Sequence, residues 1–182
     1  MEKKLDRRVL KSRQAIEQAF IFLLEQKGFD NLTVKEIAAV ANVGRKTFYL
    51  HFTDLYDLLD HVLDKEMAEL ATACEQKAKQ TYAEGALSWF RYFTSHKKLF
   101  LPLFTSQKTT AFRDRLFRLI INDLTDKAQS RGIKLDEIDC HFFSMAIVGT
   151  IESIMLGQMQ NDMEKTARRV GELLEKNLQT TP

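Results

Sequence analysis

The chain has 182 residues, 45% of them hydrophobic, with only seven glycines and two prolines. That is enough for one sizeable packed domain or two small ones, and it argues against turn-rich β architecture, low-complexity sequence and disorder. The formal charge of +2 is unevenly spread: ten Lys/Arg face six Asp/Glu in residues 1–51 and seventeen face nineteen in residues 52–182, so a basic front suited to an anionic partner precedes a mildly acidic body.

In chain order, Ile16, Phe20, Leu23 and Leu24 repeat on one face of a first helix. Gly28 suits its left-handed cap, with Phe29 folding back on the last turn. Thr33 followed three places later by Glu36 reads as a capping box, opening a short second helix with Ile37, Ala38 and Ala41 on its inner side. Asn42 tolerates the left-handed backbone of a tight turn. A third short helix is predicted from about Gly44 to Leu50. A long helix starts near Asp54, with Leu55, Leu58, Leu59, Val62, Leu63, Met67 and Leu70 in period, and is predicted to reach about Tyr82. Asp54 and Asp57 suit its dipole. The pattern resumes beyond Gly85, Pro102 breaks or kinks it, and further helices are predicted at roughly 110–130, 136–158 and 163–178, punctuated by Gly132 and Asn161-Asp162. No period of two is sustained. The expected fold is all-α, with about nine helices: a three-helix head over 1–53 and a helical bundle over 54–182.

Cys74 and Cys140 are far apart and show no metal-type spacing, which favours a reducing compartment. The N-terminus lacks the apolar core of a signal peptide. The longest apolar run, 142–157, is interrupted by Glu152 and reads as too short to span a bilayer. A soluble, cytoplasmic protein is expected.

Two short helices joined by a turn of three or four residues form a helix-turn-helix, whose second helix enters the major groove of DNA. The stretch VGRKTFYLHF, residues 43–52, meets both demands on such a helix. Val43, Phe48 and Phe52 can anchor it. Arg45, Lys46 and Thr47 stand at its N-terminal end, where arginine can bind guanine and threonine a thymine methyl. Tyr49 and His51 can bond phosphate oxygens, and Thr33 opens the second helix with free N–H groups and a hydroxyl for another phosphate. The pattern T-V-K-E-I-A-x-x-A-x-V-x-x-x-T-F-Y-x-H-F over residues 33–52 resembles the DNA-binding region of TetR-family transcriptional regulators. The likeness extends upstream to Ile16 and downstream to Leu58-Leu59. It implies double-stranded DNA with a palindromic operator as partner, and a DNA-contacting set of Thr33, Lys35, Gly44, Arg45, Lys46, Thr47, Tyr49 and His51. Two positions depart from the family pattern. Gly44 stands where many members carry serine, and Leu55 where many carry a phosphate-binding lysine, so one backbone contact is expected to be missing.

The same resemblance implies a C-terminal domain that forms a homodimer and often holds a small effector. Met145, Val148, Ile151, Glu152 and Met155, with Gly149 and Ala146 allowing close approach, and Val170, Leu173, Leu174 and Leu178 form two stripes expected at an isologous four-helix dimer interface, Val148, Ile151, Met155, Val170 and Leu174 foremost. Trp89, Tyr92, Phe93, His96, Phe100, Phe104, Phe117 and Phe143 are candidates to line a pocket for a small apolar or aromatic effector, with core packing as the alternative. The expected function is a dimeric, sequence-specific regulator, a repressor whose DNA affinity an effector changes. The alternative is a regulator controlled by a protein partner, its body filled rather than hollow. An enzyme is the rival from another class. Glu137, Cys140 and His141 lie within five residues, and His61 lies near Asp57 and Asp64. Neither set completes a metal or catalytic site, and no glycine-rich phosphate loop or nucleophile elbow is present, so no cofactor is expected.

Overall fold

The computed structural model describes residues 7–75, 81–159 and 162–178, with side chains from 73 to 75 left aside. The Cys74 side chain, Asn161 and the stretch 76–80 through which the long helix was expected to run lie outside the described residues. Among the described residues there are nine α-helices and no strand: α1 (Arg7–Lys27), α2 (Val34–Val40), α3 (Arg45–His51), α4 (Leu55–Glu75), α5 (Tyr82–Ser95), α6 (Lys97–Thr105), α7 (Thr110–Ser130), α8 (Glu137–Met155) and α9 (Met163–Leu178). The all-α expectation is met.

Helices α1 to α3 pack against one another. Ile16, Phe20, Leu24, Ile37 and Phe48 are fully buried in the resulting core, joined by Leu58, Leu59 and Val62 from the start of α4. Each such side chain contributes roughly 1.5–3 kcal/mol by leaving water, and three short helices become a stable unit only by pooling them.

Helix α4 touches both α5 and α7 and so joins this head to the body. A second joint exists. Helix α1 packs on α6, the Ser106 hydroxyl after α6 donates to Asp30 at 2.7 Å, and Lys98 pairs with Glu25 at 3.3 Å.

Two boundaries differ from expectation. Helix α5 begins at Tyr82 rather than beyond Gly85, because Thr81 and Glu84 form a full capping box there. Pro102 does not end the chain's helical course but lies inside α6; its ring nitrogen forgoes only one backbone bond in a nine-residue helix.

Helix α9 crosses α5 closely. A side chain at Gly171 would place its Cβ 2.1 Å from the Cα of Ala83, so only glycine fits. Helix α8 has 19 residues and an 18-residue window of mean hydropathy 1.3, so it passes a length-and-composition test for a membrane span that the core helix of a packed bundle passes as well. One of its faces is packed in the bundle, where Glu152 pairs with Arg113 of α7 at 2.5 Å. Its other face carries Ile138, Phe142 and Met145, which are 77%, 65% and 62% exposed.

Candidate nucleic-acid interface and effector region

The α2–turn–α3 geometry follows from four local features. Thr33 takes an extended backbone as N-cap and accepts from the Glu36 N–H, while its hydroxyl donates to the Glu36 carboxylate at 2.5 Å. Lys27 at the end of α1 reaches the same carboxylate at 2.5 Å. Its hydrogen bond, followed by that of Thr33, holds the Glu36 carboxyl below its ordinary range. The turn closes at Asn42, the one non-glycine residue among those described with a positive φ, at 53°, and Val43 N–H returns to Ala38 C=O at 2.9 Å. Gly44 then caps α3 with extended backbone and no side-chain bond, as its missing hydroxyl requires.

Phe48 is fully buried and sits in edge contact with Tyr49 and tilted against Phe52. This anchors one face of α3 and leaves the other open. Gly44, Arg45 and Lys46 are exposed, Thr47 is half-buried, and Tyr49 is 57% exposed. Lys35 on α2 is also exposed. None of Lys35, Arg45 and Lys46 has an ion-pair partner among the described residues, so the motif carries three exposed cations without internal neutralisation. Leu50, 83% exposed, lies on α3 beside Tyr49 and was not singled out by sequence reasoning.

The structure places two of the anticipated DNA contacts differently. The Nε2 of His51 lies 2.7 Å from the Ser12 hydroxyl of α1, and that hydroxyl itself donates to Val9 C=O, so the His51 N–H donates inward and ties α3 to α1. Burial, then the positive charge of Arg13, holds the His51 imidazole below its ordinary pKa. The Thr33 hydroxyl is occupied by its own helix cap, leaving the N–H groups of Val34 and Lys35 as the open donors at α2. Leu55 is half-buried against the core, so the α4 start offers apolar packing where a cation would face a phosphate.

The aromatic candidates of the body do not line one cavity. Phe93, Phe100 and Phe104 pack ring against ring and with Phe112, at centroid distances from 4.5 to 6.5 Å, and fill the core. Tyr92 and His96 stack at 4.2 Å, and the Tyr92 hydroxyl donates to Glu66 of α4, at 2.9 Å to the carboxylate. Burial, then that carboxylate, pushes the phenol well above its ordinary range. Phe117 meets His141 and Phe143 meets Phe142, and both Phe117 and Phe143 pack, half-buried, against the core. Trp89 borders a narrow cavity of about 20 Å³, with Tyr82, Asp123 and Lys127.

The expected dimer residues Val148, Ile151, Met155 and Leu174 are buried within the chain, and Val170 is half-buried. They belong to the inward faces of α8 and α9, while the outward apolar face of α8 carries Ile138, Phe142 and Met145, with Gly149 exposed. The residues weighed for chemistry also part company. Cys140 is buried beside the Thr125 hydroxyl, at 3.8 Å, while His141 is exposed. His61 receives Arg13 at 2.8 Å and meets Glu17 at 2.9 Å rather than Asp57 or Asp64. No group of three or more His, Cys, Asp or Glu suited to a metal occurs among the described residues.

A helix-turn-helix with an open, cationic second helix, mounted on a helical body, defines the class of helix-turn-helix transcriptional regulators. Residues 21–62 match the bacterial regulatory proteins of the tetR family, and residues 80–176 match a transcriptional regulator C-terminal region. The chain belongs to the TetR family of transcriptional regulators, and its relatives are regulators rather than enzymes. It is 34% identical over 70 residues to the HTH-type regulator YxbF of Bacillus subtilis, a stretch covering 38% of this chain and 18% of that protein. It is 28% identical over 128 residues to an HTH-type regulator of Haemophilus influenzae, covering 65% and 62%. The match thus spans less than two thirds of either relative. Over 170 residues it is 24% identical to DhaS of Lactococcus lactis, the dhaKLM operon transcriptional activator, covering 90% and 88%. The DhaS structure superposes with a TM-score of 0.70 at 21% identity over 92% of this chain and 96% of that one. A TetR-family regulator of Syntrophomonas wolfei superposes at 0.77, with 17% identity over 95% and 99%. FadR of Bacillus subtilis in complex with stearoyl-CoA superposes at 0.67, with 22% identity over 88% and 96%.

Proposed function

We propose that residues 1–53 form a head that reads double-stranded DNA, and that residues 54–182 dimerise the chain and sense a regulatory signal. The observation that carries the reading is the open face of α3: Arg45, Lys46 and Thr47 at its N-terminal end, uncompensated by any internal carboxylate, over the buried anchor Phe48. Arginine and threonine there meet base edges, Tyr49 and Lys35 meet phosphates, and the N–H groups opening α2 add another backbone contact. A homodimer presents two such helices to the two halves of a palindrome. The α8 stripe Ile138, Phe142 and Met145 supplies an apolar surface suited to an isologous contact. A cytoplasmic location accords with a DNA-binding role. DhaS is named an activator and the expectation for this chain is repression. The sign of regulation is set by where the operator lies relative to a promoter, whereas the head supplies affinity.

The effector reading is narrowed by volume. With about 20 Å³ beside Trp89 and the Phe93–Phe100–Phe104–Phe112 core filled, that cavity as it stands suits a ligand far smaller than a fatty-acyl chain. The filled aromatic core also favours the second reading, control by a protein partner, over a roomy aromatic pocket.

Selection from a pool of random duplexes at two salt concentrations tests the DNA reading. A palindrome whose affinity falls steeply with salt supports it. No enrichment at either concentration overturns it.

A further inference from the structure

The cavity beside Trp89 combines features that simple core packing does not require. Its walls come from α5, α7, α8 and α9 and are apolar at Ile120, Ile147 and Leu174, among others. Against this lining stands a buried ion pair: the Lys127 ammonium, its residue 6% exposed, donates to Asp123 at 2.7 Å. The Trp89 indole N–H donates to the same carboxylate oxygen at 3.3 Å. Gly85 makes room for the ammonium, since a Cβ there would stand 2.6 Å from Lys127 Nζ. Tyr82, 1% exposed, borders the same cavity, and its hydroxyl has no hydrogen-bond partner.

Hydrogen-bond donors are left unspent here. An ammonium carries three N–H donors, and Asp123 is the one partner of Lys127 among the described residues. With the Tyr82 hydroxyl, two of the three Lys127 N–H groups are unspent donors in a buried place, where an unmade bond is costly. The charges, by contrast, do balance. Lys127 is matched by Asp123, and Arg131, lying over the Tyr82 ring at 4.4 Å, is matched by Glu175 at 3.5 Å. An entering ion would therefore lose its hydration without gaining a free counter-charge. A neutral oxygen would lose little and satisfy waiting donors.

We propose that this cavity is a binding site for a small uncharged molecule bearing a carbonyl or hydroxyl oxygen, which accepts hydrogen bonds from Tyr82 and Lys127 and lays its carbon skeleton on the apolar wall. In the present conformation the space holds about one water. A ligand of a few heavy atoms replaces that water and parts α5 from α7. Both helices are tied to α4, through Tyr92–Glu66 on one side and Arg115 with Asp60 and Asp64 on the other. Wedging them apart moves α4 and with it the head. This consequence rests on the regulator reading; the binding step does not.

The test uses Trp89, the single tryptophan of the chain, as the reporter. Purified protein without DNA is titrated with hydroxyacetone, acetamide and glycerol as neutral probes, and with acetate and methylammonium as charged ones. A saturable change in fluorescence is expected with at least one neutral probe and with neither ion. Tyr82→Phe is expected to weaken that binding by about tenfold, the effect of one lost hydrogen bond. Lys127→Met removes the second donor but strands Asp123, so Tyr82→Phe is the decisive variant. Quenching that rises linearly with every probe overturns the proposal and leaves water as the sole occupant. A saturable response that is unchanged in Tyr82→Phe, or stronger for an ion, overturns it as well. Because the titration contains no DNA, its failure is separate from a failed duplex selection.

Discussion

Arg45 and Tyr49 lie one turn apart on the open side of α3, yet their chemistries assign them different work. A guanidinium at the helix start can fork onto a guanine edge and discriminates between bases, whereas a phenol bonds any phosphate oxygen alike. Arg45→Ala is expected to cost about 1–3 kcal/mol on the selected duplex and to relax preference at one position. Tyr49→Phe is expected to weaken cognate and random DNA equally. Competition binding on both duplexes checks this, and equal losses from both variants would abolish the division. His51 works on the other side of the helix, and its titration has a definite sign. Its folded pKa is depressed below the ordinary 6.5 by burial and by Arg13. Below about pH 6.5 the unfolded chain therefore binds the proton more readily than the folded one. The contribution of His51 is fully present above that pH and is lost as the pH falls toward its folded pKa. Thermal unfolding at pH 7.5 and 5.5 should show a smaller acid loss in His51→Gln than in the parent. An identical loss would place the acid sensitivity elsewhere.

Among elements, the contrast between Gly171 and Gly149 separates packing from propensity. At Gly171 a methyl group meets the α5 backbone at Ala83, which cannot step aside. Gly171→Ala is expected to destabilise by about 2–3 kcal/mol through overpacking. At Gly149 nothing lies within 4 Å, so Gly149→Ala is expected to leave the monomer fold unharmed or to stabilise α8 by up to about 1 kcal/mol. Chemical denaturation of both variants reads the difference directly. These elements also show what a sequence can disclose. The Thr33–Glu36 cap, the Asn42 turn and the short amphipathic helices of the head are local signals, and each appears in the structure where its residues put it. Thr81–Glu84 carries the same signature as Thr33–Glu36 and was equally readable, but Gly85 drew attention as a break. Helix α8 posed a harder problem. It is apolar on both sides, so its length points to a helix while its pattern does not fix which stripe faces inward. Val148, Ile151 and Met155 were as plausible outward as Ile138, Phe142 and Met145 until the neighbouring helices set the phase. The cavity beside Trp89 was unreadable for a related reason. Tyr82, Trp89, Asp123 and Lys127 are distant in sequence and meet only because Gly85 and Gly171 let α5 approach α7 and α9.

At the scale of the whole molecule, DNA reading and assembly are one problem. A single head offers few base contacts, and its start of α4 lacks a cation at Leu55, so monomer affinity should be low and dominated by non-specific charge. In the proposed homodimer two heads held about one turn of DNA apart, roughly 34 Å, would bind as a linked pair, the second contact being effectively intramolecular. The surface that holds them must be outside the monomer core, apolar and self-complementary. The stripe of Ile138, Phe142, Met145 and Gly149 recurs at 0, +4, +7 and +11, stays on one side of α8 over its first three turns, and has glycine where another helix can approach closely. Phe142→Asp places a charge in the centre of that stripe without touching the core, since Phe142 is 65% exposed. The variant should keep its helical circular dichroism and sediment as a monomer. Its affinity for a palindrome should fall toward that for a single half-site, with a shallower dependence on salt, because half the phosphate contacts are gone. Should Phe142→Asp sediment as a dimer with full operator affinity, the subunits meet elsewhere, and the exposed face of α8 is left as the surface on which a different protein would seat.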